Sequence, residues 1–149
     1  MNRKGVTLIE LIVVMVIIAI GAVLMAPGIG AWLPNYRLRS TTRDIVSTMR
    51  TAQMKAVSTN MEYRVLFTKN LDDSGSYILK RHTGGNWVDE GASQSLPSGI
   101  TISEITFAGT YAEFNPNSTA SAGSITLRNT KGTLKKITLT TSTGRIKIE

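Results

Sequence analysis

Between Val6 and Ala26 the chain carries a single ionisable side chain, Glu10, and this run follows a short start that contains Arg3 and Lys4. A helix rises about 1.5 Å per residue, so the run reaches about 31 Å, close to the hydrocarbon thickness of a bilayer. Residues 6–26 therefore read as a membrane-spanning helix. Arg3 and Lys4 orient it with the N-terminus in the cytoplasm and the remainder in the periplasm, as a single-pass protein of the inner membrane. A secretory signal or a plain signal anchor shares this pattern, but neither accounts for Glu10. A carboxylate costs about 2.5–3.5 kcal/mol at the centre of such a helix and marks a functional position that needs a partner.

The rest of the composition narrows the classes of function. With 149 residues the chain is the size of one domain. It contains no cysteine, which excludes disulfides, thiolate ligands and cysteine nucleophiles. His82 is the only histidine, so a histidine metal cluster is excluded and little is left for a catalytic triad. The sequence also lacks a phosphate-cradling glycine loop and a spaced acid pair. No enzyme activity, metal or cofactor is expected. Asp72-Asp73-Ser74-Gly75 reads as a turn, because it lacks the further acidic ligands of a calcium loop. The formal net charge of +7 is compatible with acidic partners, nucleic acid and anionic lipid among them.

Pro27-Gly28-Ile29-Gly30 and Pro34 predict an interruption of the helix over 27–34. Helical periodicity resumes over 35–59, where Leu38, Ile45, Met49, Ala52 and Ala56 share one face suited to pack on a sheet. Arg37, Arg39, Arg43, Arg50 and Lys55 lie opposite, as a solvated face or as a contact surface for a filament or lipid headgroups. From residue 61 to 149, short runs rich in Val, Ile, Thr and aromatics alternate with Gly, Asn, Ser and Pro, the pattern of antiparallel strands. Strands are expected at 62–68, 76–82, 86–88, 100–102, 105–107, 112–115, 124–128, 134–140 and 145–148, and 115–123 is expected to be an exposed loop. The fold class is α+β, a long N-terminal α-helix with a membrane-spanning first half, packed on an antiparallel β-sandwich of about seven or eight strands.

The stretch Gly5-Val6-Thr7-Leu8-Ile9-Glu10-Leu11-Ile12-Val13-Val14 resembles the signature of type IV prepilins. That resemblance implies a leader of residues 1–5, cleavage between Gly5 and Val6 by a prepilin peptidase, N-methylation of Val6, and a role for Glu10 in filament assembly. The new amine at Val6 and the Glu10 carboxylate of a neighbouring subunit then offer opposite charges. Two charges about 4 Å apart gain about 4 kcal/mol at an effective dielectric of 20. Desolvation consumes much of that gain, so the pair sets register more than it adds stability. Phe114-Asn115-Pro116-Asn117, the polar run to Gly123, Ser124-Ile125-Thr126-Leu127 and the tail Gly144-Arg145-Ile146-Lys147-Ile148 are similar to the GspH/FimT family of minor pseudopilins and minor pilins. Membership implies a structural subunit of a type II secretion pseudopilus or a type IV pilus, with other pilin or pseudopilin subunits, the prepilin peptidase and the inner membrane as partners. Some pilus members of the family bind DNA through a basic C-terminal segment that Gly144-Arg145-Ile146-Lys147 resembles, which implies as the alternative a DNA-binding minor pilin for DNA uptake in natural transformation. Strand alternation here turns Ile125, Leu127, Ile137, Leu139, Ile146 and Ile148 inward and leaves Arg128, Lys136, Arg145 and Lys147 outside. These four residues are candidate DNA phosphate contacts, and a soluble basic edge is the other reading.

Overall fold

Helical backbone begins at Leu8 and is assigned through Thr59 as one 52-residue helix, α1. The computed structural model describes residues 5–71 and 74–149, with backbone alone for 24–29 and 31. The leader residues Arg3 and Lys4, and Asp72 and Asp73 of the expected turn, lie outside the described residues. Two compact units divide the chain, Met1–Leu33 and Pro34–Glu149. The bounds of α1 pass through 27–34, where the sequence predicts an interruption, and the division between the units falls inside that same segment. Each proline there removes one N–H donor from the helical ladder.

The first unit corrects the membrane expectation. Among the described residues no helix is long and apolar enough to cross a membrane. The start of α1 also carries Glu10 in its first turn, a charge that bilayer hydrocarbon disfavours. The membrane-spanning reading of 6–26 and the single-pass inner-membrane placement with a periplasmic domain are both overturned by this finding.

In the second unit α1 packs on two antiparallel sheets. The strands are β1 Tyr63–Lys69, β2 Gly75–Thr83, β3 Asn86–Asp89, β4 Gln94–Ser95, β5 Ile100–Ile105, β6 Tyr111–Phe114, β7 Gly123–Asn129, β8 Leu134–Leu139 and β9 Ile146–Ile148. One sheet runs β3-β2-β1-β6 with β4 also on β2, and the other runs β5-β7-β8-β9. Period-2 alternation puts Tyr63, Val65 and Phe67 of β1, Ala112 and Phe114 of β6, Ile125 and Leu127 of β7, and Ile137 and Leu139 of β8 into one core. The helix supplies Leu38, Ile45, Met49, Ala52 and Ala56, each no more than 1 % exposed, so the face expected from their spacing is the face that is buried. Burying one such large side chain fully is worth about 1.5–3 kcal/mol.

Three details depart from expectation. Residues 100–102 and 105–107 do not form separate strands. A register shift between Ile102 and Glu104 keeps β5 paired to β7 as one strand, the behaviour of a β-bulge. The polar pair Gln94–Ser95 forms β4, held through Ser76↔Ser95 and Tyr77↔Gln94. The loop over 115–123 is not wholly exposed: Ala120 is buried, and its N–H donates to Thr141 O at 3.0 Å.

That loop meets the C-terminal turn at Gly144, which is buried with φ +56°. A Cβ at Gly144 would lie 3.1 Å from the Ser118 carbonyl oxygen and 2.5 Å from Gln53 Nε2 of α1. Gly84 has nearly the same φ, +59°, with nothing near its missing Cβ. A left-handed conformation costs a non-glycine residue about 1–2 kcal/mol. In chemical denaturation Gly84→Ala is expected to lose about that amount, and Gly144→Ala clearly more, because a backbone oxygen cannot swing away. Equal losses for the two would show that the 118/144 contact yields freely.

Candidate functional site

At the N-terminal end the sequence builds a helix start. Thr7 precedes α1; its carbonyl accepts the Leu11 N–H at 3.2 Å and its Oγ1 accepts the Glu10 N–H at 3.4 Å. A threonine three residues before a glutamate is the arrangement of a capping box, and Glu10 stands in the first turn, where the helix dipole favours an anion. Neither Thr7 as the cap nor this local role of Glu10 is part of the sequence reading, although Thr-x-x-Glu is legible there. Val6 is 72 % exposed, and the large apolar residues from Leu8 to Ile20 are exposed on every side of the helix.

The basic candidates are distributed by strand parity. Arg128 of β7, Lys136 of β8 and Lys147 of β9 are exposed on the outer face of the second sheet, and Arg145 is exposed just before β9. Lys136 faces Thr126 on one side and bonds Glu149 through both backbone groups on the other, at 3.0 and 2.8 Å. Glu104 faces Thr126 from β5. The row across the sheet is therefore Glu104, Thr126, Lys136, Glu149, and Lys147 Nζ is 2.8 Å from Glu149 Oε1. Lys147, with Lys136 further off, holds the Glu149 carboxyl below its ordinary value. The outer face thus brings Arg128, Lys136 and Lys147 together, but with carboxylates interleaved. Of the inward residues, Ile148 is 42 % exposed, because β9 is a three-residue strand at the sheet edge.

The arginine-rich side of α1 also separates. Arg37 donates to Ser98 O at 3.0 Å, and Lys55 pairs with Glu90. Arg39 and Arg43 instead line a groove with Lys135, whose inward parity on β8 puts it on the helix side of the sheet. A groove of about 410 Å³ lies between α1 and the segment after β3, with Asp44, Ser47, Thr48, Thr51, Tyr77 and Glu90 along it. Burial, and secondarily Asp44, pushes the Tyr77 hydroxyl up, whereas Lys55 holds the Glu90 carboxyl down. That combination fixes the helix to the sheet and presents neither a nucleophile with a base nor an oxyanion pocket.

On the outer face of the first sheet the Arg64 guanidinium sits 4.1 Å from the Trp87 ring centre and 4.8 Å from that of Tyr111. His82 Nδ1 is 3.1 Å from Glu62 Oε2.

Residues 1–26 match the model of the prokaryotic N-terminal methylation motif, and residues 41–144 match the family model described as type II transport protein GspH. Among solved structures the chain is similar to the minor pseudopilin EpsH from the Type 2 Secretion System of Vibrio cholerae. That match has a TM-score of 0.61 at 7 % identity and covers 76 % of this chain and 96 % of that one. At that identity the likeness is one of fold. No curated protein matches the chain.

Glu90 and Glu113 are shifted in opposite directions. Glu90 is lowered, first by the hydrogen bond from Lys55, so its contribution is complete above the ordinary carboxylate value and is lost as pH falls through the folded value. Glu113 is raised by burial and by Glu62, so its contribution is present at low pH and is lost as pH rises through its folded value. In urea melts Glu90→Gln is expected to cost at most about 1 kcal/mol at pH 7, given the partly exposed Lys55, and nothing once the pH is below the folded value. Glu113→Gln should shift stability in the opposite sense at pH 7. Parallel pH profiles for the two variants would contradict both assignments.

Proposed function

Because the chain belongs to the GspH family of type II transport proteins, whose model spans most of it, we propose that it is a minor structural subunit of a type II secretion pseudopilus. Its role is that of a building block and not of an enzyme. The observation that carries this reading is the uncovered start of α1, apolar on all sides from Leu8 to Ile20 apart from Glu10. A helix that is apolar all round needs burial, and equivalent helices of neighbouring subunits supply it. The other pseudopilin subunits are the partners this requires.

Maturation belongs to the same proposal. Gly5 and Val6 stand exposed immediately before the cap residue Thr7, a position open to a prepilin peptidase. Cleavage between them leaves an amine at Val6, the group that the methylation motif concerns. In a bundle, that amine and the Glu10 carboxylate of an adjacent subunit offset each other's burial and fix the axial offset between helices. A capping-box role, in which the Glu10 carboxylate accepts from the Thr7 N–H, and the intersubunit role differ in what they need: glutamine serves a capping box as glutamate does, but carries no charge.

Mass spectrometry of the chain from its native host is expected to show a start at Val6 bearing one methyl group, and Gly5→Leu to retain the precursor. A chain still starting at Met1 would sink the junction. Glu10→Ala and Glu10→Gln are both expected to fold normally and to be depleted from sheared filaments by about tenfold or more, the loss of one favourable charge pair. Normal incorporation of Glu10→Gln, with loss only in Glu10→Ala, would leave Glu10 as a helix cap.

A further inference from the structure

The groove lined by Arg39, Thr42, Arg43, Lys135 and Ile148 has a volume of about 170 Å³ and lies where α1 passes the β8–β9 edge of the second sheet. Arg39 and Arg43 are one helical turn apart, so their side chains rise on the same face. Lys135 reaches them from the sheet, because it shares the inward parity of Ile137 and Leu139. Among the described residues, none of these three cations has a carboxylate within ion-pair distance. Lys55, Lys80, Arg81 and Lys147 all do. Thr42 Oγ1 donates inward to Leu38 O at 2.7 Å, which leaves the groove's polar rim cationic.

The adjoining strand supplies the second observation. Lys136 and Glu149 exchange both backbone hydrogen bonds, and Thr140 N–H donates to Arg145 O at 3.1 Å. In an antiparallel ladder the bonding direction alternates, so the N–H and C=O groups of Ile146 and Ile148 point away from β8, toward the open side of the last strand. An open strand edge is a template for another strand. Here one side chain of that edge, Ile148, is also a wall of the cationic groove.

We propose that β9 and this groove form one docking site for an extended, acidic polypeptide segment of a partner protein. The segment adds to the sheet beside Ile146 and Ile148 by main-chain hydrogen bonds, and its carboxylates, spaced every second residue, enter the groove to meet Arg39, Arg43 and Lys135. Charge complementarity selects an acidic segment, and the open backbone groups select a polypeptide over a nucleic acid, which has no strand to add. The site lies on the side of the sheet opposite Arg128 and Lys136, and it does not depend on the maturation or filament roles of Gly5, Val6 and Glu10.

The test uses the full chain, in non-ionic detergent to cover the apolar start of α1, and a fluorescein-labelled octapeptide of alternating Glu and Val read by anisotropy. Saturable binding that weakens with salt is expected, about tenfold or more weaker for R39Q/R43Q, which removes two charge-assisted contacts, and unchanged for K136Q on the opposite face. Circular dichroism establishes that the variants are folded. The same peptide with both central residues N-methylated, one Glu and one Val, keeps its carboxylates and is expected to lose binding, because one of those two N–H groups must face β9. Equal binding by R39Q/R43Q overturns the site, and equal binding of the N-methylated peptide overturns strand pairing. Displacement of the peptide by an oligothymidine at lower concentration than by unlabelled peptide would make the groove a phosphate site and overturn the proposal as well.

Discussion

One buried face of α1 holds the second unit together. Neither sheet alone encloses its inner residues: the first contributes Tyr63, Val65, Phe67, Ala112 and Phe114, the second Ile125, Leu127, Ile137 and Leu139, and the helix closes both with Leu38, Ile45, Met49, Ala52 and Ala56. The small residues at 52 and 56 have a geometric role. They let the helix approach closely near its C-terminal end, where Gly144 and Ser118 lie beside Gln53. With no cysteine in the chain, this packing is the main tie between helix and sheets among the described residues. The ion pair of Lys55 with Glu90 and the Arg37 bond to Ser98 are additions at its margin.

Much of that core was readable because it rests on two short periods. Five apolar residues at helical spacing, and alternating Ile and Leu at 125, 127, 137 and 139, have few other ways to be buried. What escaped the sequence rests on pairing, which periodicity does not encode. Gln94 and Ser95 form a strand only because the edge of β2 is available to them. Ser103 breaks the alternation of β5 without ending it, since the bulge absorbs one residue. Ile148 follows the inward parity and is still 42 % exposed, because inwardness at an edge strand is not enclosure. The membrane reading took hydrophobicity over 6–26 as sufficient, whereas among the described residues no helix is long and apolar enough to cross a membrane.

The N-terminal site was legible as a motif and not as a mechanism. Gly5, Val6 and Glu10 stand out by type and spacing, whereas Thr7, which sets where the helix starts, shows its role only in the folded backbone. With Thr7 as the cap, Glu10 falls in the first turn, where a carboxylate is favoured locally before any partner arrives. The charge is therefore less anomalous than it is in an uninterrupted apolar helix. It is held at one end of α1, in the first turn.

Charge on the second sheet is sorted by parity in a way that composition conceals. The C-terminal third is strongly basic in sequence, which invites the idea of one continuous cationic surface. Folding divides it. On the outer face, Lys136 and Lys147 alternate with Glu104 and Glu149, so the field there largely cancels beyond a Debye length. On the inner side Lys135 is drawn away from these acids and placed beside Arg39 and Arg43. Like charges brought together without a counter-ion raise the energy of the folded state, the more so where they are partly enclosed. A single carboxylate across the groove would remove that cost, and none of the described residues provides one. The arrangement is unfavourable for the isolated subunit and becomes favourable when an anion arrives from outside, which is the electrostatic form of an unfilled binding site.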